Sequence, residues 1–382
     1  MKPDAVPHSS AQRQIQSIQV MRALGIFVIL SAHIGLAAAF GDPFLAPDVP
    51  RWLVLLIGNA SDGMLDIFFV GSGFVMVYIT QGQTGTLAAA RKFAWARITK
   101  LVPTYWVYTT LAVLAGALLG NNAGFQAPDF VHAIKSYLFI PYGTEVMGDV
   151  FGGSHLWVRP VLPAGWTLNF EMYFYAVFML GLMMPGRRGI AFMAAWALAM
   201  AAIRPFVPEA WAALHFWTSS TILKFLAGNV LGYAYARGVR FDVSRAAALG
   251  VGCVAFVLHW CTYALFLDRP DTFVFHLLTA AFSGTMVGCA VLTPFVEARN
   301  KPRWLVELGD STYSIYLSHI FVYVPAYAVL QSLFVMTMPQ RVVVAVACFV
   351  FSLLLGWASY RRIELPLIAW ARGVRRRSSA GA

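Results

Sequence analysis

An arginine and a histidine stand in one apolar run, Gln19-Val-Met-Arg22-Ala-Leu-Gly-Ile-Phe-Val-Ile-Leu-Ser-Ala-His33. On an α-helix their separation amounts to about three turns, so both side chains share a face and lie about 16 Å apart along the axis. A helix entering a bilayer near Arg22 would set His33 close to the midplane. An ionisable group is costly there and by default faces a cavity or protein partners, which makes His33 a functional-site candidate able to exchange a proton. The plainer reading makes Arg22 a topology anchor and His33 a hydrogen-bonded packing residue. A carboxylate at similar depth would orient the imidazole and raise its basicity. Asp66 fits that part, with Asp62 one turn away on the same helical face.

A second group of residues suits anion binding. Arg97 and Lys100 are one helical turn apart, just before Pro103-Thr-Tyr105-Trp106. Their cationic heads can converge on a polyanion; the competing reading is ordinary cytoplasmic charge beside an interfacial aromatic belt. Further along, Trp166 opens an apolar run in which Glu171 is expected about a turn below the outer surface. Lys224 falls inside another run, placed to snorkel outward or to pair with a carboxylate. His319 is expected more than two turns deep in a helix capped by Asp310 or Ser311. Glu364 is expected to neutralise a neighbouring arginine, Arg361 or Arg362.

The elements that must hold these groups follow from composition. Of 382 residues, 59% are apolar and only 12% charged, and mean hydropathy is positive. That excludes an ordinary soluble domain. About ten apolar stretches are long enough to cross a hydrocarbon core of about 30 Å. They run roughly over 18–39, 52–80, 101–119, 166–185, 189–206, 216–236, 246–267, 272–296, 311–334 and 340–361. The fold class is therefore all-α: a polytopic integral membrane protein with about ten transmembrane helices.

Lysine and arginine gather in cytoplasmic segments. Arg91 and Lys92, Arg187 and Arg188, Arg237 and Arg240, and Arg361 and Arg362 fall on alternate connections, which places both termini in the cytoplasm. The net charge of +11 follows from this bias and is no nucleic-acid footprint. Residues 1–14 read as a disordered cytoplasmic lead-in, 15–371 as the membrane domain and 372–382 as a basic tail held to anionic lipid. The bilayer is one partner. Cys253, Cys261, Cys289 and Cys348 fall in apolar spans at irregular spacing and read as buried packing residues, with no disulfide framework and no metal site. The outer loop, about 120–165, carries His132, His155 and aromatics around a short amphipathic run at Phe130 to Phe139. It suits either sugar binding or no function at all.

Taken together, Ile18 to His33, Asp66 to Met76, Arg97 to Trp106, Gly165 to Tyr175 and Leu308 to His319 make the chain resemble acyltransferase family 3 membrane proteins, in the branch that acylates bacterial exopolysaccharides. The family's arginine, ten residues and histidine fall on Arg22 and His33. Its pair of basic residues falls on Arg97 and Lys100, where the family usually has a second arginine. Lys224 is a further departure, from an acidic residue. The resemblance implies transfer of an acyl group, usually acetyl, from cytoplasmic acyl-coenzyme A to a hydroxyl of an extracytoplasmic glycan, in the bacterial inner membrane.

In that scheme Arg97, Lys100 and Arg22 hold the donor's phosphates. His33 is the general base or an acyl carrier, Asp66 orients it, and Glu171, Trp166 and His319 serve acceptor binding or proton handling. No metal is implied. The rival class is a transporter or flippase of a lipid-linked sugar, in which buried His, Asp and Glu form a proton path.

Overall fold

The computed structural model describes residues 10–40, 51–119, 125, 127–143, 160–266, 272–293, 301–333 and 336–380, and these are helical with no strand among them. The apolar runs become α1 (Ser10–Phe40), α2 (Arg51–Ile79), α3 (Leu87–Leu119), α5 (Trp166–Leu182), α6 (Arg187–Ile203), α8 (Ile222–Ala236), α9 (Arg245–Leu265) and α10 (Phe273–Leu292). They are followed by α11 (Arg303–Ser318), α12 (Ile320–Leu333), α13 (Met338–Ser359) and α14 (Leu365–Ala380). Two shorter helices, α4 (Phe130–Tyr137) and α7 (Ala212–Trp217), lie in connections. Helix is the natural outcome for such runs in lipid, because it satisfies every backbone donor and acceptor within the segment.

Seven of these helices are long and apolar enough to cross a membrane, or up to eight if the bent pair α11 and α12 forms one span. The difference from about ten has a physical cause. At 17 and 15 residues, α5 and α8 are too short to cross alone, whereas α6, also 17, is continued to Phe206 by a 3-10 turn; buried Thr218, Ser219, Ser220 and Thr221 break the sixth expected stretch between α7 and α8. The ninth breaks at His319, where the chain bends by 42°.

α1 begins at Ser10, while residues 1–9, most of the outer loop with His155, and 381–382 lie outside the described residues. Other expectations are corrected. Asp310 and Ser311 cap nothing, because α11 starts after Pro302 and the Ser311 hydroxyl instead donates to the Leu308 carbonyl. Of the cysteines only Cys348 is buried; Cys253 is exposed and the other two are intermediate, since their helices turn those faces outward. The amphipathic run in the outer loop does form a helix, capped by Asp129, whose side chain accepts from the His132 amide.

Two close approaches set the frame. Gly73 on α2 lies against the Phe225 backbone of α8, and Gly228 on α8 lies against the Val70 backbone, so a side chain at either would collide with main chain. Small residues of this kind let membrane helices pack backbone to backbone. Gly309 does the same for α11 against Gln19 of α1. α1 and α11 therefore run side by side, and this brings the chemical groups together.

Candidate active site

His33 and His319 meet on this pair of helices. His33 Nδ1 is 2.9 Å from His319 Nε2, and the rings stack 5.2 Å apart. His319 is fully enclosed, and its other nitrogen, Nδ1, is 2.6 Å from the Tyr316 carbonyl. A carbonyl only accepts, so His319 Nδ1 carries a proton and its Nε2 is bare in the neutral ring. His33 Nδ1 must then donate. That assignment by the network leaves His33 Nε2 as an unprotonated lone pair, and His33 is only partly buried. Tyr316 and Tyr323 stack on His319 at 5.7 Å each and hold its plane.

Asp66 does not orient His33. Its carboxylate pairs with the Lys224 ammonium, lies 3.1 Å from His259 Nε2 and accepts from the Tyr263 hydroxyl at 3.0 Å. The reason is the packing of α2: Asp66 faces α8 and α9, and the glycine contacts draw Lys224 to it. Lys224 thus pairs rather than snorkels. His259 and Tyr263 were not singled out in the sequence, where nothing distinguishes them from other polar residues in a lipid-crossing run.

The three cations do converge. Lys100 lies within electrostatic range of Arg22, Arg97, Glu171 and Glu364, and Arg22 also lies within range of Asp310. Arg22 Nη1 donates to Gln19 at 3.3 Å. The Arg97 guanidinium sits over the rings of Phe93 and Tyr175, 5.6 and 5.7 Å from their centroids. Its Nε is buried with no hydrogen-bond partner among the described residues. A buried donor in that condition costs free energy until something accepts from it.

Glu171 sits just over one turn into α5. Thr167, at the start of α5, has its hydroxyl 3.5 Å from the Tyr316 hydroxyl. Glu171, one turn further on, accepts from Ser72 at 2.8 Å and faces the cation cluster. The short connection Pro163–Gly165 before the helix brings Gly165 against Tyr105. Trp166 is partly buried beside it, edge-on to Phe170 at 6.2 Å.

Glu364 does not neutralise an arginine of its own segment. A π-helical turn, Tyr360–Glu364, swings it inward, where it is 1% exposed and accepts from Ser314 at 2.6 Å; Arg361 pairs with Glu307 instead.

A family model described as an acyltransferase domain matches residues 15–361. The chain belongs to acyltransferase family 3. It is also 32% identical, over 326 residues, to the exopolysaccharide production protein ExoZ of Rhizobium meliloti (strain 1021), covering 83% of this chain and 92% of that protein. No solved structure matches. With its membrane-capable helices, this family member is a multi-pass membrane acyltransferase.

Proposed function

We propose that this membrane acyltransferase moves an acyl group, acetyl, from acyl-coenzyme A on the cytoplasmic side of the bacterial inner membrane to a hydroxyl of an exopolysaccharide or its lipid-linked precursor. The observation that carries the reading is the pairing of α1 with α11. Arg22 and Asp310 approach at one end of the pair, and His33 and His319 meet farther along it. A ligand held by phosphates among the cations can therefore extend its thioester along α1 toward the open nitrogen of His33. The similarity to ExoZ supports an exopolysaccharide as acceptor.

In this reading Arg97, Lys100 and Arg22 bind the donor's phosphates, Arg97 offering its unpartnered Nε and Lys100 a point charge. His33 Nε2 takes the proton from the sugar hydroxyl as its oxygen attacks the thioester carbonyl. The carbon–sulfur bond breaks, the thiolate leaves, and the proton on His33 passes to the sulfur. The products are the sugar ester and coenzyme A thiol. His319, enclosed and aimed at His33, is a positioning residue, and Trp166 at the mouth of α5 and Glu171 below it face the substrates. Asp66 takes no part in the proton transfer.

Purified protein supplied with acetyl-coenzyme A should release free thiol only when deacylated exopolysaccharide fragments are present. His33→Ala should lower that release by about a thousandfold, within the range that general bases supply, with the protein still folded. Full activity in that variant would remove the proposed chemistry, and acceptor-independent release would remove the proposed acceptor.

A further inference from the structure

The connections α3–α5 and α6–α8 emerge at one end of the bundle, away from the turns that carry Arg91, Lys92, Arg187, Arg188, Arg237 and Arg240. Between them lies a cleft of about 530 Å³, walled by Lys135 and Tyr142 on one side and by Trp211, Leu214 and Trp217 on the other. Its volume falls in the range of about 300–1,000 Å³ typical of small-molecule sites.

Tyr142 is fixed from three directions. Its hydroxyl donates to Asp129 Oδ2 at 3.3 Å, its ring stacks on His132 at 4.8 Å, and Lys135 Nζ lies 4.8 Å from the ring centroid. Opposite, Trp211 lines the cleft and is 61% exposed. The exposed Trp211 ring, with the Lys135 ammonium across the cleft, matches a carbohydrate, which has apolar C–H faces and a rim of hydroxyls. An acyl chain would match the rings but would strip water from Lys135 without replacing its hydrogen bonds.

We propose that this cleft is a saccharide-binding subsite, which holds sugars of the acceptor chain flanking the one that reaches His33. The proposal rests on the reading of the protein as a glycan acyltransferase. Its own test is binding, which needs no chemistry.

The full chain in lipid nanodiscs is titrated by calorimetry with short, base-deacylated oligosaccharides from partial hydrolysis of the producing cells' exopolysaccharide. Trp211→Ala should weaken binding about tenfold, and Trp211→Phe, which keeps a ring, should recover most of it. Affinity for coenzyme A should not change in either variant. In the transfer assay Trp211→Ala should raise KM for the acceptor about tenfold with kcat held. Equal oligosaccharide affinity in wild type and Trp211→Ala, or no binding by wild type, overturns the subsite. So does quenching of Trp211 fluorescence by brominated phospholipid that oligosaccharide fails to relieve, which would make the cleft a lipid contact. Trp211-dependent binding without acyl transfer would keep the subsite and reject the acyltransfer reaction.

Discussion

Two of the polar networks among the described residues contain imidazole, and they are finished differently. Around Asp66 the charges close on one another: Lys224, His259 and Tyr263 occupy the carboxylate, and Asp66 and Lys224 are both almost fully buried. Around His33 no carboxylate bonds to the ring among the described residues; one neutral ring is held by a second, and one nitrogen remains open. A closed ionic cluster fastens helices, because each charge is costly there without the others. An uncharged pair with a free lone pair fastens little and can accept a proton. In the proposed reading the difference separates residues that hold the fold from residues that would do the chemistry, although sequence alone makes Asp66 and His33 look like partners.

Breaking the closed network should have the largest effect. Asp66→Ala removes the carboxylate paired with the buried Lys224 ammonium and leaves only Asp62 within electrostatic range, a loss of about 3–5 kcal/mol. It should appear as a much lower thermal midpoint in detergent and a poor yield of folded protein. Asp66→Asn with Lys224→Met, which removes both charges, should recover most of that stability and retain acyl transfer. A double variant as unstable as Asp66→Ala would mean that Asp66 does more than balance a charge.

The open network should behave in the opposite way. His319→Ala should lower kcat by about a hundredfold, a general-base effect at the low end because the base itself remains. The KM for the donor should stay put and the pH–rate profile of His33 should move. His319→Gln, whose side-chain carbonyl can accept from His33 Nδ1, should recover part of the rate. An unmoved pH profile in His319→Ala would reduce His319 to packing.

Ser72→Ala is the mildest break. It removes one hydrogen bond to Glu171, worth about 1.5–3 kcal/mol when the acceptor is charged. It should change kcat/KM by tenfold or more without altering thermal stability beyond that amount. Wild-type kcat/KM in Ser72→Ala would detach Glu171 from the reaction.

How much was legible in the sequence follows from what each feature depends on. Helical class and the order of the runs depend on local apolarity, which the chain states directly. The convergence of Arg97 and Lys100 was legible as well, because they lie one helical turn apart; Arg22 was joined to them only through the family resemblance. The pairing of Asp66 was not, since it depends on which way α2 faces, and that was decided by Gly73 and Gly228 meeting the backbones opposite. The contact of Glu171 with Ser72 was not legible for a related reason: hydropathy marks the apolar run and is blind to which helix its polar residues will face. The inward turn of Glu364 came from a π-helical residue insertion, which leaves no mark in the hydropathy pattern. His319 as a neighbour of His33 required two helices far apart in the chain to lie parallel, with Gly309 as the one local hint.

The shortness of α5 has a further consequence. A helix of 17 residues rises about 26 Å, less than a hydrocarbon slab of about 30 Å. Under the proposed transfer, a bulky, hydrated polymer would not have to be threaded through lipid: only the small acyl unit would travel, past a helix shorter than the slab around it.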